Sequence, residues 1–222
     1  MPKRLLVLLL FVFTGIQAFP QTRDAQLWTS FSMDKKLNKK FSLGLSEEFR
    51  FSDNISELGT YFFDLGLNYK LHKNWRIAAN YRFTHKQRLD DSYSKRHRYY
   101  FDLSYRNKFD RFSFTLRGRF QSQYTDFNSS AAGHVPDYYT RIKLTVKYDL
   151  KKKLTPYLSS EEFIPSFAGE GILIDGLRLS AGIEYDLNKR TSLDFFYMIQ
   201  KEYNVKNPET DFVIGLGYFH SF

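Results

Sequence analysis

The chain has 222 residues and no cysteine, which excludes disulfides, thiolate metal sites and a lipidated N-terminal cysteine. Aromatic residues make up 18% of the sequence, yet the mean hydropathy is −0.47 and the net charge is +9. Rings on one face of each extended segment and polar side chains on the other would account for these values together.

The N-terminus has the pattern of a secretory signal. Lys3 and Arg4 precede an apolar run, Leu5–Phe13, that is too short to cross a bilayer as a helix. We predict a signal peptide over residues 1–21, cleaved between residues 18 and 21, with Ala18 as the preferred site. An exported chain with this basic balance is expected to meet anionic lipid or polysaccharide rather than nucleic acid.

Residues 22–40 form an N-terminal extended segment. Its central part, Ala25–Asp34, contains Leu27, Trp28 and Phe31 and looks like a strand. As a spanning strand it would make the total odd and would run from the outside inward, against the usual pattern of bacterial barrels. We therefore expect it to lie in the lumen or under the rim of a barrel.

Residues 41–222 alternate apolar and polar side chains with a period of two, which predicts β-strands. The pattern predicts an all-β, antiparallel, up-and-down transmembrane barrel of about ten strands. About twelve strands is the alternative, if a further strand lies within Ile164–Gly176. The alternating segments are Phe41–Phe51, Tyr61–Leu71, Trp75–Thr84, His97–Arg106, Phe112–Gln121, Tyr138–Tyr148, Leu154–Phe163, Leu177–Tyr185, Ser192–Gln200 and Asp211–Phe222.

The closing segment carries the most specific signal. Asp211–Phe222 alternates to its end and stops on an aromatic residue. Its G-x-x-H-x-F, from Gly217 through His220 to Phe222, is similar to the assembly signal of bacterial outer-membrane β-barrels, although His220 departs from the usual aromatic or aliphatic residue. The resemblance implies an outer-membrane location, contact with lipid and lipopolysaccharide, and recognition by the barrel-assembly machinery.

Short motifs give a narrower resemblance. Gln26–Trp28, the L-S-E-E-F-R of Leu45–Arg50 after a Lys-Lys turn, and the S-E-E-F of Ser160–Phe163 are similar to the barrel family known as domain of unknown function 2490. This resemblance implies an outer-membrane barrel. It supplies no activity, cofactor or catalytic residue.

The inward phase of the strands is rich in charge, and buried charges must be paired. We expect a polar network in the lumen, with Glu48 and Glu162 facing inward. Glu47 then falls on the lipid-facing phase, which predicts a bulge near Ser46–Glu48. The predicted network comprises Glu48, Arg50, Arg76, Arg82, Arg98, Asp102, Arg106, Arg117, Arg119, Arg141, Glu162, Arg178 and Glu184.

The favoured function is a structural, ligand-binding or surface-binding barrel with a largely plugged lumen. A narrow channel for small anionic solutes is the alternative, and a lipid-modifying or hydrolytic outer-membrane enzyme is a second one. His85, Asp90, Asp91 and His97 surround one loop as an outer-membrane protease would require, but such residues are common in loops for solubility. The spacing of the histidines does not match that of metal ligands. A secreted soluble β-sandwich is the remaining alternative fold.

Overall fold

The computed structural model describes residues 22–88, 92–125, 136–150, 153–166 and 173–222, and the predicted signal peptide lies outside this range. Within it, eleven strands pair edge to edge and close into a barrel. None of the described residues forms a helix long and apolar enough to cross a membrane. The strands are β1 (Thr22–Lys36), β2 (Phe41–Ser52), β3 (Glu57–Lys70), β4 (Trp75–Gln87), β5 (Tyr93–Phe109), β6 (Phe112–Thr125), β7 (Asp137–Tyr148), β8 (Leu154–Ser166), β9 (Gly176–Asp186), β10 (Thr191–Glu202) and β11 (Glu209–Ser221).

The prediction of an all-β barrel is confirmed, and about ten strands was close to the observed eleven. The barrel is not purely antiparallel, because β1 and β11 pair in parallel from Thr22↔Glu209 to Asp34↔Ser221. The further strand considered within residues 164–176 falls partly on residues 167–172, outside the described residues.

The N-terminal segment is part of the wall, so the expectation that Ala25–Asp34 lies in the lumen or under the rim is wrong. β1 pairs with β2 on one side and β11 on the other. These two pairings satisfy the backbone N–H and C=O groups that β2 and β11 would otherwise leave without hydrogen-bond partners at a sheet edge. The expectation of an even number of strands failed because the first and last strands pair in parallel, which allows a barrel with an odd number of strands to close.

The barrel has two ends. We call the end that carries the connections at residues 37–40, 71–74, 110–111, 149–153 and 187–190 the turn end. At the opposite end, the loop end, β2, β4, β6, β8 and β10 finish and β3, β5, β7, β9 and β11 begin. β1 therefore begins at the loop end, whereas β11 finishes at the turn end, where the backbone N–H of Phe222 donates to the carbonyl of Asp34 at 2.9 Å.

Turns at the turn end are held by asparagine side chains. Asn38 Oδ1 accepts hydrogen bonds from the backbone N–H groups of Lys40 at 2.8 Å and Phe41 at 2.9 Å. Asn188 Oδ1 accepts the N–H of Arg190 at 2.8 Å in the same way. An asparagine that satisfies donors within its own turn is typical of tight connections between strands.

The predicted bulge lies elsewhere. Pairing between β2 and β3 is continuous through Ser46–Glu48, and the register shifts between Arg50 and Phe51, opposite Gly59. Glu47 therefore keeps its place in the alternation and lies on the outer face, paired across the strands with Phe31 and Phe63. Glycine suits the position of the shift, because the space that a Cβ of residue 59 would need is already filled by the Ser52 side chain.

The two faces of the wall differ in chemistry. The outer face is covered by exposed apolar side chains, among them Phe101 at 64% and Leu158 at 65% exposed. The inner face carries charged and amide side chains, with a small apolar cluster of Trp28, Met198 and Val213 against Phe196. The barrel is thus apolar outside and polar inside.

The parallel seam can be tested with engineered cysteines in this cysteine-free chain. Thr29 and Leu216 are direct partners across β1 and β11, so a T29C/L216C variant should form a disulfide on mild oxidation, detected as a gel-mobility shift. In the control, T29C/I214C, the second cysteine is displaced by two residues and lies beyond disulfide range. A segment inside the lumen would leave both pairs uncrosslinked.

Gly215 is required by the ring that lies over it. A Cβ at this position would overlap the ring of Phe196. G215A should therefore lower the free energy of unfolding in lipid vesicles by about 1–3 kcal/mol, because the ring is forced from its position. G118A is the control, since a Cβ added to Gly118 would have no atom within 4 Å. Adding F196A should remove the cost of G215A, and a persistent cost would contradict this explanation.

Candidate functional site in the barrel lumen

Six arginines converge on the middle of the lumen, and we call them the arginine cluster. They line one cavity of about 590 Å³, which Arg96 and Arg117 also line. Arg98 is the direct cross-strand neighbour of Arg82, and Arg119 is that of Arg141. Period-two alternation places them all on the inner face. The cluster consists of Arg50 on β2, Arg82 on β4, Arg98 on β5, Arg119 on β6, Arg141 on β7 and Arg178 on β9.

Four members of the cluster each have a carboxylate partner. Arg119 binds both oxygens of Asp102, at 2.7 and 2.8 Å, and Arg141 binds both oxygens of Glu161, at 3.2 and 2.8 Å. The sheet register creates the first of these pairs, since Asp102 is the direct cross-strand partner of Arg119. The other two pairs are Arg50 with Glu48 at 2.6 Å and Arg82 with Asp64 at 2.7 Å.

The same four arginines also lie over aromatic rings. The shortest distances from the guanidinium carbon to a ring centroid are 3.5 Å from Arg50 to Trp28, 3.6 Å from Arg82 to Phe62, 3.8 Å from Arg119 to Tyr100 and 4.3 Å from Arg141 to Phe163. A guanidinium held by a carboxylate and a ring has little freedom to move. These four side chains therefore belong to the framework of the lumen.

Arg98 and Arg178 are held by glutamine amides, although Arg178 also lies over the rings of Phe163 at 4.7 Å and Trp28 at 5.2 Å. The Nε of Arg98 donates to Oε1 of Gln123 at 3.0 Å, and the Nε of Arg178 donates to Oε1 of Gln200 at 2.6 Å. A glutamine amide orients a guanidinium but leaves its charge uncompensated. The cluster thus contains two arginines whose primary side-chain partner is neutral.

The second Glu-Glu pair faces the opposite way from the prediction. Glu161 points into the lumen, whereas Glu162 pairs with Ile142 and Leu177 on the outer face. The error came from placing Phe163 outside, where the alternation around Pro156 was unclear. Phe163 instead lies inside, beneath Arg141.

Glu161 is the most heavily used carboxylate of the lumen. Besides Arg141, it binds Arg117 at 2.6 Å and lies 3.8 Å from Arg178. Lys143 is its direct cross-strand neighbour. One negative charge therefore serves several cations.

The remaining residues of the predicted network lie towards the turn end. Arg76 and Arg106 line a separate cavity of about 300 Å³, where Arg106 donates to Oγ1 of Thr115 at 3.2 Å. Glu184 forms a salt bridge with Lys147. These residues do not join the arginine cluster.

Sequence reasoning did not select the two glutamines or the aromatic rings that hold the arginines. Gln123 and Gln200 occupy inward positions of the period-two alternation, so this pattern alone could have placed them in the lumen. Trp28 was predicted to lie in a segment within the lumen or under the rim rather than in a wall strand beside β2, so its ring was not expected beneath Arg50. Which inward residues meet depends on the register and curvature of the closed sheet.

Cavities follow one another along the barrel. The central cavity shares Arg50, Lys86 and Arg96 with a wider one of about 1220 Å³ at the loop end. It shares Arg117 with the 300 Å³ cavity at the turn end. The cavities therefore decrease in volume from the loop end towards the turn end, and Asp102, the partner of Arg119, lines the smallest of these three.

The family model described as "Protein of unknown function (DUF2490)" matches residues 25–211. The chain belongs to this family. The match covers β1 and reaches the start of β11, so it confirms the resemblance predicted from the short motifs. No curated protein matches the chain.

A solved porin resembles this DUF2490 member in fold. The structure entitled "NanC porin structure in rhombohedral crystal form" is 12% identical, with a TM-score of 0.50 over 79% of this chain and 86% of the porin. Outer-membrane expressed OmpT of Vibrio cholerae is 9% identical, with a TM-score of 0.42 over 73% of this chain and 54% of OmpT. The anion-selective porin from Comamonas acidovorans is 14% identical, with a TM-score of 0.38 over 83% and 54%. The chain spans about half the length of the last two, and the likeness to NanC concerns the fold alone.

The histidines considered for catalysis lie on the outer face of this DUF2490 barrel. His97 Nδ1 is 2.7 Å from the hydroxyl of Tyr81, and His85 stacks on Tyr61 with ring centroids 4.6 Å apart. Asp90 and Asp91 lie outside the described residues. In the part of the chain that the structure describes, no group of three or more His, Asp or Glu is arranged to hold a metal ion.

The closing segment can be placed in the same way. His220 Nδ1 is 3.0 Å from the hydroxyl of Thr191, and the His220 ring meets Phe222 edge-on, with centroids 4.6 Å apart. Gly217 lies opposite Ser30 and Asp194, and a Cβ there would lie 3.2 Å from both side chains. His220 is thus part of the wall at the turn end.

Glu161 and Glu162 are adjacent, and replacing each in turn tests which of them faces the lumen. E161Q should lower the free energy of unfolding by about 3–5 kcal/mol, because it leaves the buried Arg141 and the half-buried Arg117 without their carboxylate. E162Q changes the same group on the outer face and should not destabilise the barrel. Urea unfolding in lipid vesicles measures both, and equal effects would contradict the assignment of Glu161 to the lumen.

Proposed function

We propose that this protein is an outer-membrane barrel of a Gram-negative bacterium that binds small anionic solutes in its lumen. The observation that carries the proposal is the charge of the arginine cluster. It contains six guanidinium groups, and only four of them have a carboxylate of their own. Buried positive charge without a counter-ion is costly, so the lumen favours an anion.

The surface of the barrel supports the membrane location. Its strands are 11 to 17 residues long, sufficient for the roughly 9–11 residues that a tilted strand needs to cross a bilayer. Large apolar side chains are exposed around the outer face, among them Leu65, Leu116, Phe195 and Leu216. Exposed apolar patches of this extent are suited to lipid.

Lipopolysaccharide and the assembly machinery are the partners that we propose outside the lumen. Lys95 is exposed on the outer face near the loop end, opposite His85, where phosphate groups of lipopolysaccharide would lie. The closing strand, with Gly217 and Phe222 at the turn end, would be the segment recognised during assembly. A signal peptide over residues 1–21 would bring the chain to that compartment.

The lumen fits binding better than free conduction. Four arginine–carboxylate pairs occupy the lumen around the central cavity, and aromatic rings hold their guanidinium groups in place. A narrow channel for small anions is the second candidate, favoured by the sequence of cavities that share Arg117 and Lys86. An enzymatic role has no comparable support among the described residues.

Anion binding should be visible as stabilisation of the purified barrel. We expect sulfate or succinate to raise the melting temperature with a saturating concentration dependence, compared with chloride at equal ionic strength. At a ligand concentration of about 100 times Kd the gain is about 2.7 kcal/mol. A dependence on ionic strength alone would overturn the proposal.

Conductance recordings in planar bilayers distinguish a binding protein from a channel. We expect the inserted protein to show no steady conductance, because the pairs in the lumen are fixed at both partners. Stepwise anion-selective currents would instead support the channel alternative, and E161Q should increase them by loosening Arg117 and Arg141.

A further inference from the structure

The two arginines held by glutamine define a specific site within the lumen. We propose that Arg98 and Arg178 together bind a small dianion through its oxyanion groups, such as a dicarboxylate. This inference rests on the proposed function and names the class of ligand. It follows from the partners of each guanidinium and from their shared cavity.

Arg98 lies in strongly positive surroundings. Its direct cross-strand neighbours are Arg82 on β4 and Gln123 on β6. Arg50, Arg119 and Arg141 line the same cavity and carry the same charge. Like charges in direct opposition destabilise a sheet, so this arrangement needs a compensating group. Each of those four arginines already has its own carboxylate.

Arg178 completes the site from the other side of the cavity. Its nearest carboxylate, Glu161, is 3.8 Å away and already binds Arg141 at 2.8 Å and Arg117 at 2.6 Å. The hydrogen bond from Nε to Gln200 fixes the plane of the guanidinium. Most of its N–H donors therefore have no hydrogen-bond partner among the described residues.

Charge balance sets the class of ligand. Four of the six arginines of the cluster are paired with a carboxylate, so two positive charges remain within the cluster. Further charges of both signs line the same cavity outside the cluster, among them Lys86, Arg96, Asp175 and Glu202. Arg117 adds to this excess near Glu161, whereas Lys143 has Asp194 as well as Glu161 nearby. A dianion matches the excess at Arg98 and Arg178, and the planar fork of each guanidinium matches an oxyanion.

The size of the cavity limits the ligand. Both arginines line the central cavity of about 590 Å³, which lies within the usual range for sites that bind small molecules. Trp28 and Phe196 line the same cavity and offer apolar surface between the charged groups. A short carbon chain with an acidic group at each end fits this combination.

Titration calorimetry with succinate and acetate tests the proposal on the full-length barrel in detergent. We expect wild-type protein to bind succinate at least about tenfold more tightly than acetate, a difference of about 1.4 kcal/mol. R98Q and R178Q should each lose about tenfold or more in succinate affinity and lose the preference over acetate. R106Q removes the same charge near the turn end and should leave succinate binding within about twofold.

Stability of the ligand-free protein gives an independent readout. R98Q removes a charge that has no carboxylate, so it should leave the unfolding midpoint unchanged or raise it. R119Q breaks the pair with Asp102 and should lower the midpoint. Equal losses in both variants would overturn the claim that Arg98 is uncompensated.

A second variant serves if R98Q fails to fold. Q123E replaces the neutral partner of Arg98 by a carboxylate and keeps the arginine, so it should reduce succinate affinity as R98Q does. Wild-type protein that binds no anion would contradict the proposed function as a whole. Anion binding that is equal for succinate and acetate, or unchanged in R98Q and R178Q, would overturn only the site proposed here.

Discussion

Closure of the sheet is the constraint on which the rest of the structure depends. A strand edge facing an apolar phase leaves backbone groups without hydrogen-bond partners, at a cost of several kcal/mol for each group. β1 removes both edges at once by pairing with β2 and β11. The parallel seam follows from the direction of β1, which starts at the end where β11 starts. Every inward position in the lumen is set by the register of this closed sheet.

The narrow interior then determines how charge is arranged. Inward side chains from neighbouring strands lie close together, so arginines must share the space with rings and carboxylates. Tyr100 illustrates the solution, because its ring lies beneath Arg119 while its hydroxyl donates to Asp64 at 2.6 Å. Asp64 in turn holds Arg82. The framework is a connected set of stacks and ion pairs, in which each member restricts the next.

Arg98 and Arg178, which are held by glutamine side chains, differ from the other four arginines of the cluster in having a neutral partner. Where the register supplies an acidic partner, as Asp102 for Arg119, the charge is balanced within the wall. Where it supplies Gln123 or Gln200, the guanidinium is oriented and its charge is left for another group. A protein that needed only a rigid filling could place glutamate at both positions. The amides are therefore the feature on which the proposed binding of an anion rests.

The outer face shows what alternation can and cannot determine. Phe63, Phe101 and Leu116 follow a strict period of two, so their outward position was readable from the residues alone. Glu162 was misplaced because a strand whose pattern is broken by Pro156 and two adjacent glutamates has no unambiguous phase. Only its pairing with β7 and β9 decides that Glu161 faces the arginines.

The sequence by itself determined the all-β barrel, the family, the approximate strand number and most of the inward arginines, because period-two patterning is a local property. The tertiary structure decided the parallel seam, the position of the register shift and the choice of partner for each arginine. These depend on contacts between residues far apart in the chain, such as Arg50 on β2 with Trp28 on β1 and Arg117 on β6 with Glu161 on β8. Local patterning states which face a side chain occupies, whereas barrel closure and register decide what it meets there.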